Sequence, residues 1–316
     1  MNLKLILLPA FCLIGMMVYG QSAAFLEVAP DARSVGMGGI GSATSADAWS
    51  VFWNGAKTAL ADKDGEIAYS YTPRTIHNME KSRLHSLAGY YKINNKSALT
   101  AAFRHFSPGE MMNMKPEDYA LDLGYSHVLL KGLSIGATVR YIHSDLDQED
   151  AHAADAVGFD LSLYYQLTTN LLCKNAVWSL GAGFSNLGTD VSYGGDDNKL
   201  PGMFRVGTAY KMPFNDHHRL TIAGEYDYRA IPSDEDEYMG AVGAEYLCYN
   251  ILFVRAGYHW GDKDRGTSNH TALGIGLSHW HVSADFAYLL ADKSSNALDE
   301  TMRLTVGIDL SLFRKK

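Results

Sequence analysis

The stretch VGFDLSLYYQL, residues 157–167, decides the fold. Its odd-numbered positions are Val, Phe, Leu, Leu, Tyr and Leu, whereas its even-numbered positions are Gly, Asp, Ser, Tyr and Gln. Because successive side chains of a β-strand point to opposite faces, this alternation predicts a strand with one apolar face and one polar face. Residues 302–312 show the same rhythm, with an apolar side chain at every even position.

The same period of two recurs from residue 65 to the C-terminus and predicts fourteen strands. Several of them are longer than the ~5–6 residues of a typical soluble strand and match the ~9–11 that a tilted strand needs to cross a bilayer. We therefore expect residues 65–316 to form an all-β fold, a transmembrane antiparallel β-barrel. The predicted strands cover 65–72, 85–93, 97–106, 118–128, 133–144, 157–167, 177–187, 203–212, 218–229, 237–247, 251–260, 270–278, 282–290 and 301–312.

The connections between these strands alternate between long and short segments. Residues 107–117 and 145–156 are long, for example, whereas 94–96 and 129–132 are short; 168–176 is the one exception. Bacterial outer-membrane barrels have short periplasmic turns and longer external loops. The alternation therefore favours a membrane barrel over a soluble sandwich, and an even strand count leaves both ends of the barrel on the periplasmic side.

Composition agrees with a barrel and argues against nucleic acid as a partner. The mean hydropathy of −0.12 is near zero, as expected when lipid-facing and lumen-facing residues alternate. The formal net charge of −8 lacks the basic footprint that nucleic acids require. No stretch after the first twenty residues approaches 18 consecutive apolar residues, so we expect no transmembrane helix in the mature chain.

The first twenty residues have the features of a secretory signal peptide. Lys4 provides a short basic region, residues 5–18 are mainly apolar, and Val18 and Gly20 fit the −3 and −1 positions of a cleavage site. An apolar stretch of this length is shorter than the ~20 residues that span a membrane. We therefore expect residues 1–20 to direct export and the mature protein to lie in the cell outer membrane.

Residues 21–64 differ from the remainder of the chain because they are rich in Gly, Ala and Ser and lack the alternating rhythm. The spacing Gly36-x-Gly38 resembles part of a dinucleotide-binding loop, but no hydrophobic strand precedes it and the third glycine of the motif is missing. A compact run of small residues ahead of a barrel predicts an N-terminal hatch or plug folded into the lumen.

This segment also carries a recognisable sequence signature. Its residues are Pro30, Asp31, Ala32, Arg33, Gly36, Met37, Gly38, Asp47, Trp53, Asn54, Ala56 and Lys57. With these residues the segment resembles the N-terminal region of the PorV family of type IX secretion outer-membrane proteins, which are in turn similar to FadL-type barrels with fourteen strands and an N-terminal hatch. Gly55 departs from the family pattern, in which proline is common at that position, and the chain is shorter than typical members.

The resemblance implies a role in protein export. Members of the family bind the C-terminal signal domain of secreted cargo at the outer membrane and pass it to other components of the secretion system. The expected partners are therefore outer-membrane lipid, secreted cargo proteins and those components. A FadL-like transporter of hydrophobic small molecules remains the alternative, and a lateral opening or an apolar groove in the lumen would favour it.

Neither the strands nor the loops contain a pattern that predicts an enzyme, a cofactor or a metal site. No Gly-x-Ser-x-Gly motif is present, and the acidic segments 145–150, 234–237 and 261–266 lack a complete calcium-loop pattern. The histidines at 217–218 and 279–281 fall in short turns without a set of additional ligands. Charged residues of the strands share the polar face, which places them in the lumen, and tyrosines near strand ends, including Tyr90 and Tyr91, predict aromatic girdles.

Overall fold

The computed structural model describes residues 23–74, 82–110, 114–147, 153–193, 197–233, 236–262, 267–291 and 301–313. The predicted signal peptide, residues 1–20, lies outside the described residues and stays a prediction. The barrel strands are β1 Gly65–Arg74, β2 Ser82–Asn94, β3 Ser97–Ser107, β4 Glu117–Leu130, β5 Leu133–Asp145, β6 Ala154–Thr169, β7 Ala176–Gly188, β8 Gly202–Pro213, β9 Arg219–Ile231, β10 Glu237–Cys248, β11 Leu252–Trp260, β12 His270–His279, β13 Val282–Ala291 and β14 Met302–Asp309.

These fourteen strands form one closed antiparallel barrel. Each strand pairs with its neighbours in the chain, and β14 closes the barrel on β1 through pairs from Glu66–Asp309 to Tyr71–Leu304. The predicted fold class and strand number are therefore confirmed. Two further strands of two residues each, Val191–Ser192 and Asp197–Asn198, form a separate small hairpin in the long connection between β7 and β8.

The last strand is shorter than its alternation predicts. It ends at Asp309, and residues Leu310–Phe313 form a turn of 3₁₀-helix instead of continuing the strand to residue 312. The Asp309 side chain accepts a hydrogen bond from the Ser311 backbone N–H at 2.9 Å, which turns the chain away from the sheet. The apolar and polar periodicity continues past this point, so polarity alone could not predict where the strand ends.

The two faces of the strands are separated as the alternation predicts. On β6, Phe159 and Leu161 are 49% and 56% exposed on the outside, which is the lipid-facing side of a membrane barrel. Arg140 and Arg255 point inward and are almost completely buried. Tyr90 is a correction to the predicted girdle, because it also points inward and is only 3% exposed, whereas its neighbour Tyr91 lies outside.

Residues 23–64, called the inner segment below, contact the inward-facing side chains of the barrel. They contain 3₁₀-helices at Ala24–Glu27 and Gly55–Leu60 and two short α-helices, α1 Ala32–Gly36 and α2 Ser50–Trp53. Asp31 caps α1 by accepting a hydrogen bond from the Ser34 N–H at 2.7 Å. No helix among the described residues is long and apolar enough to cross a membrane.

The inner segment runs from one end of the barrel to the other. Phe25 and Leu26 pack with Ile142 and Leu200 near the long-loop end. Lys63 contacts Glu66 at the start of β1, which is the short-turn end. The segment therefore occupies the lumen along its height and contributes large buried apolar side chains such as Phe25, Met37 and Trp49 to the interior.

Candidate functional site

The twelve residues of the family signature all lie inside the barrel. Nine of them are buried and the remaining three, Arg33, Asp47 and Trp53, are half-buried. None of the twelve lies on the outer surface or on an external loop. Their contacts, taken in turn below, attach the inner segment to the barrel wall and to itself.

Arg33 is the electrostatic centre of this arrangement. Its guanidinium donates to both carboxylate oxygens of Glu245 on β10, with Nε–Oε2 and Nη2–Oε1 distances of 2.9 and 3.0 Å. Nη1 donates to Asp47 Oδ2 at 2.8 Å and to the Ser45 carbonyl at 3.1 Å. Bidentate pairs of this kind are among the strongest charge-assisted hydrogen bonds. Arg33 therefore ties two parts of the inner segment to the wall.

The network continues along the wall through a second arginine. Arg255 on β11 donates from Nε to Glu245 Oε2 at 2.8 Å and from Nη1 to Asp285 Oδ1 at 2.6 Å. Glu245 is thus held between Arg33 and Arg255, and both of its oxygens are satisfied. A buried carboxylate is tolerated when it is paired and hydrogen-bonded in this way.

Asp31 and Trp53 join the two halves of the inner segment. Besides capping α1, the Asp31 carboxylate accepts a hydrogen bond from Trp53 Nε1 at 3.0 Å. Burial, followed by the nearby Asp47 carboxylate, raises the pKa of the Asp31 carboxyl. The indole covers Gly41 so closely that a Cβ at that glycine would lie 2.1 Å from its ring, so residue 41 must be glycine for Trp53 to pack there.

The Gly36-Met37-Gly38 motif provides close approach to the wall. An ideal Cβ at Gly36 would lie 3.0 Å from the Gly274 Cα, and Gly38 has a φ of +88° against the Tyr258 backbone. The Met37 backbone also lies against Gly257, where an added Cβ would be 2.0 Å from its carbonyl carbon. These glycines therefore allow the backbone of the inner segment to pack closely against the backbone of the wall.

Asn54, Ala56 and Lys57 anchor the C-terminal part of the inner segment. The Asn54 side-chain amide donates to the carbonyls of Ser42 and Leu163, at 3.1 and 2.9 Å. The Ala56 N–H donates to Ser162 Oγ at 3.1 Å. Lys57 Nζ donates to a backbone carbonyl inside the segment, and burial lowers the pKa of this ammonium group.

The remaining signature residues, Pro30 and Ala32, are buried beside β12–β14. The Ala32 N–H donates to Thr305 Oγ1 at 3.0 Å, and its side chain packs with Ala272 and Ala287. A proline at position 30 fits here because its missing N–H needs no partner in a buried position. Small residues at 30–32 thus allow the start of α1 to lie directly on the wall.

Several wall residues that hold the inner segment could not be chosen as site residues from the sequence. Glu225 accepts hydrogen bonds from the N–H groups of Gly41 and Ser42 at 3.0 and 2.7 Å. Arg229 pairs with Glu27 at 2.7 Å. Their polar-face positions marked them as lumen residues, but nothing in the local sequence indicates which of the lumen charges contacts the segment.

Two cavities among the described residues border the inner segment, and another lies on the wall at the long-loop end. One of about 210 Å³ lies at the short-turn end and is lined by charged residues including Lys211, Arg219 and Glu245. A second of about 280 Å³ lies at the long-loop end beside Asn186 and Leu200. The third, at a β-bulge between β6 and β7, is only about 10 Å³, which is roughly the space of one water molecule.

The acidic segments, which lack a complete calcium-loop pattern, are described only in part. Of the acidic segments, residues 148–150, 234–235 and 263–266 lie outside the described residues. Within the described part of the chain, no three His, Cys, Asp or Glu side chains are placed to hold a metal ion. Cys173 and Cys248 are both free thiols.

The architecture itself defines the class of protein: a closed barrel of fourteen strands with an apolar outside, a charged inside and an N-terminal segment in the lumen is an outer-membrane β-barrel of the FadL-like type. The Ralstonia pickettii toluene transporter TbuX is a structural neighbour with a TM-score of 0.61 at 12% identity, covering 89% of this chain and 98% of that one. The monoaromatic hydrocarbon channel CymD matches with a TM-score of 0.57 at 12% identity over 89% and 98% of the two chains.

A third neighbour, a Pseudomonas aeruginosa FadL homologue, has a TM-score of 0.54 at 14% identity and covers 89% of this chain and 98% of that one. At these identities the neighbours establish the fold alone. No curated protein sequence matches the chain significantly. The family model of the type IX secretion system protein PorV matches residues 16–236. The chain belongs to the PorV family, and the resemblance based on its signature residues is confirmed.

Proposed function

We propose that this protein binds or shuttles secreted cargo at the outer membrane as a component of the type IX secretion system. The match of the PorV family model over residues 16–236 carries the proposal, because it includes the whole inner segment and strands β1–β9. The proposed partners are the C-terminal signal domain of cargo proteins and other secretion components. The proposed route to the outer membrane is export directed by residues 1–20.

The geometry supports a role at the surface of the barrel and not passage through it. The inner segment crosses the lumen with side chains such as Met37, Ala43 and Thr58 that are completely buried. Arg33 and Glu245 fix it to the wall at hydrogen-bond distance. We propose that the hatch predicted at residues 21–64, which includes the inner segment, acts as a plug, and that cargo is bound by the external loops.

Transport of hydrophobic small molecules is the second candidate, because the structural neighbours are named as hydrocarbon transporters and channels. The wall offers little support for it in this chain. All fourteen strand pairs are hydrogen-bonded, and the bulge between β6 and β7 leaves a cavity of only about 10 Å³. An engineered cavity of about 150 Å³ is the scale that accommodates benzene. The cavity of about 210 Å³ at the short-turn end has many charged side chains in its lining.

Deletion of the gene in its own host, followed by complementation, tests the proposal. We expect the amount of secreted cargo at the cell surface to fall in the deletion strain and to recover with the wild-type chain. Uptake of a hydrophobic solute such as a long-chain fatty acid is measured in the same strains. Unchanged surface cargo would contradict the proposal, and a loss of uptake with normal secretion would support the transporter.

Charge reversal at the two ends of the barrel refines the test. Asp190 and Lys199 are exposed beside the outer cavity, whereas Lys96 and Lys131 are exposed in short turns at the opposite end. We expect Asp190→Lys with Lys199→Glu to reduce surface cargo and Lys96→Glu with Lys131→Glu to leave it unchanged. Equal effects of the two variants would contradict cargo binding on the long-loop side.

A further inference from the structure

The cavity of about 210 Å³ at the short-turn end, called the inner vestibule below, has no role in the proposed handling of cargo. Its lining includes Glu66 at the start of β1, Lys211 near the end of β8 and Arg219 at the start of β9, which are all residues of the short-turn end. Short turns face the periplasm in outer-membrane barrels. The inner vestibule is therefore accessible from the periplasm and closed toward the outside by the inner segment.

The acidic side chains at the closed end of the inner vestibule are paired with two arginines. Glu245 lies between Arg33 and Arg255, at 2.9 and 2.8 Å, and Asp285 pairs with Arg255 at 2.6 Å. Asp47 pairs with Arg33 at 2.8 Å. These three carboxylates and two guanidinium groups are paired with one another and their formal charges sum to −1, so the floor offers no unpaired positive charge and an anion would have to be held by the wall.

Two basic side chains on the wall are not neutralised in this way. Arg219 has no carboxylate within 4.0 Å among the described residues, and it is half-buried. Among the described residues, the one carboxylate that Lys211 reaches is Asp62, at 3.9 Å, and the Asp62 side chain is 90% exposed to solvent. Surface pairs of this kind contribute at most about 1 kcal/mol, so Lys211 remains available to another anion.

The two cations are placed to act together. On the neighbouring strands β8 and β9, Lys211 is opposite Thr221 and Pro213 is opposite Arg219. Lys211 and Arg219 are therefore diagonal neighbours on the inward face, a separation of about 7–8 Å between their backbones. An anion between them would be contacted from both sides. A guanidinium also presents its N–H groups in the plane that a carboxylate requires.

We propose that the inner vestibule binds a carboxylate group that enters from the periplasm and is held by Lys211 and Arg219. The carboxylate belongs either to a small organic acid or to an acidic side chain of a periplasmic protein segment. Both sources share the same recognition chemistry, and a volume of about 210 Å³ admits either one small acid or a single side chain. The proposal is independent of the cargo function.

Binding to the full-length protein in detergent micelles at low salt tests the proposal, with three probes: succinate, a short blocked peptide containing glutamate and the same peptide with glutamine. We expect succinate, the glutamate peptide or both to bind and the glutamine peptide not to bind. Binding of succinate alone assigns the site to small acids, and binding of the glutamate peptide alone assigns it to a protein segment.

The variant Lys211→Gln with Arg219→Gln is expected to weaken binding by about tenfold, the size expected from the loss of two partly exposed charge contacts. Lys96→Gln with Lys131→Gln removes the same charge from the same end outside the inner vestibule and is the matched control. The proposal is wrong if no carboxylate probe binds, if the glutamine peptide binds equally well, if inorganic phosphate binds more tightly than both carboxylate probes, or if the control weakens binding equally.

A chemical-labelling experiment keeps the test valid if detergent obscures weak binding. Ser283 lines the inner vestibule, and Ser283→Cys is introduced after Cys173 and Cys248 have been changed to serine. We expect a negatively charged thiol reagent to react faster than a positively charged one, and we expect this preference to disappear with Lys211→Gln and Arg219→Gln. A preference that is absent, or unchanged by those substitutions, overturns the proposal.

Discussion

Replacement of Arg33 by methionine is expected to destabilise the folded barrel by about 3 kcal/mol. The guanidinium makes hydrogen bonds to both oxygens of Glu245 at 2.9 and 3.0 Å and to Asp47 at 2.8 Å. Removal of one partner of a buried ion pair typically costs about 3–5 kcal/mol, because the other charge remains buried without compensation. Glu245 keeps Arg255 at 2.8 Å, so we expect the lower end of that range.

The free energy of unfolding is measured by urea titration of the protein in lipid vesicles, followed by tryptophan fluorescence. Migration on unheated gels reports independently whether the barrel is folded. Arg83→Met is the matched control, because Arg83 is exposed on the surface, where most substitutions change stability by less than about 0.5 kcal/mol. Both variants lose one arginine, so a general effect of charge is separated from the loss of the buried contacts.

A double-mutant cycle with Glu245→Gln identifies the pair itself. If Arg33 and Glu245 act on each other, the double variant loses less stability than the sum of the two single variants, by about 0.5–3 kcal/mol. We conclude that this pair holds the inner segment to the wall. That conclusion is refuted if Arg33→Met is as stable as the wild type, or if the losses of stability in the cycle are strictly additive.

Three further substitutions test other contacts, each by the same urea titration. Gly257→Ala places a Cβ 2.0 Å from the inner-segment backbone and is expected to cost at least about 1–3 kcal/mol, whereas Gly224→Ala, whose nearest contact is 3.7 Å away, should be nearly neutral. Asn54→Ala removes a helix cap and two hydrogen bonds to carbonyls, and a loss below about 0.5 kcal/mol would contradict its anchoring role. Leu161→Arg, on the outside of β6 near mid-height, should cost about 2–4 kcal/mol, and Leu171→Arg in an exposed turn far less; equal costs would contradict a lipid-facing surface.

The barrel could be predicted from the sequence because strand alternation is a local property. The stretch 157–167 has one apolar and one polar row, and the structure places it in β6 with the apolar row outside. Its ends extend three and two residues further, to Ala154 and Thr169, where small or polar residues weaken the rhythm. Tyr90 departs from the girdle prediction because it belongs to the inward row of β2, and closeness to a strand end does not indicate which face a side chain occupies.

The contacts of the inner segment could not be predicted in the same way. Arg33 and Glu245 are separated by 212 positions, and their meeting depends on how the closed barrel positions β10 over the lumen. The signature marks Arg33, Asp31 and Trp53 as special, but their roles as a wall anchor, a helix cap and a clamp between two halves appear only in three dimensions. Likewise, the bulge between β6 and β7 follows from pairing with a neighbour and has no local sequence signal.

Disulfide trapping in intact outer membranes tests the central claim, that the inner segment lies in the lumen with each part fixed against a particular part of the wall, most directly. Ala43 of the inner segment packs in the same buried cluster as Ala209 of β8, whereas Ala102 of β3 belongs to a different cluster. With Cys173 and Cys248 changed to serine, we expect Ala43→Cys to crosslink with Ala209→Cys and not with Ala102→Cys. No crosslink with the first partner, or equal crosslinking with both, would contradict the account.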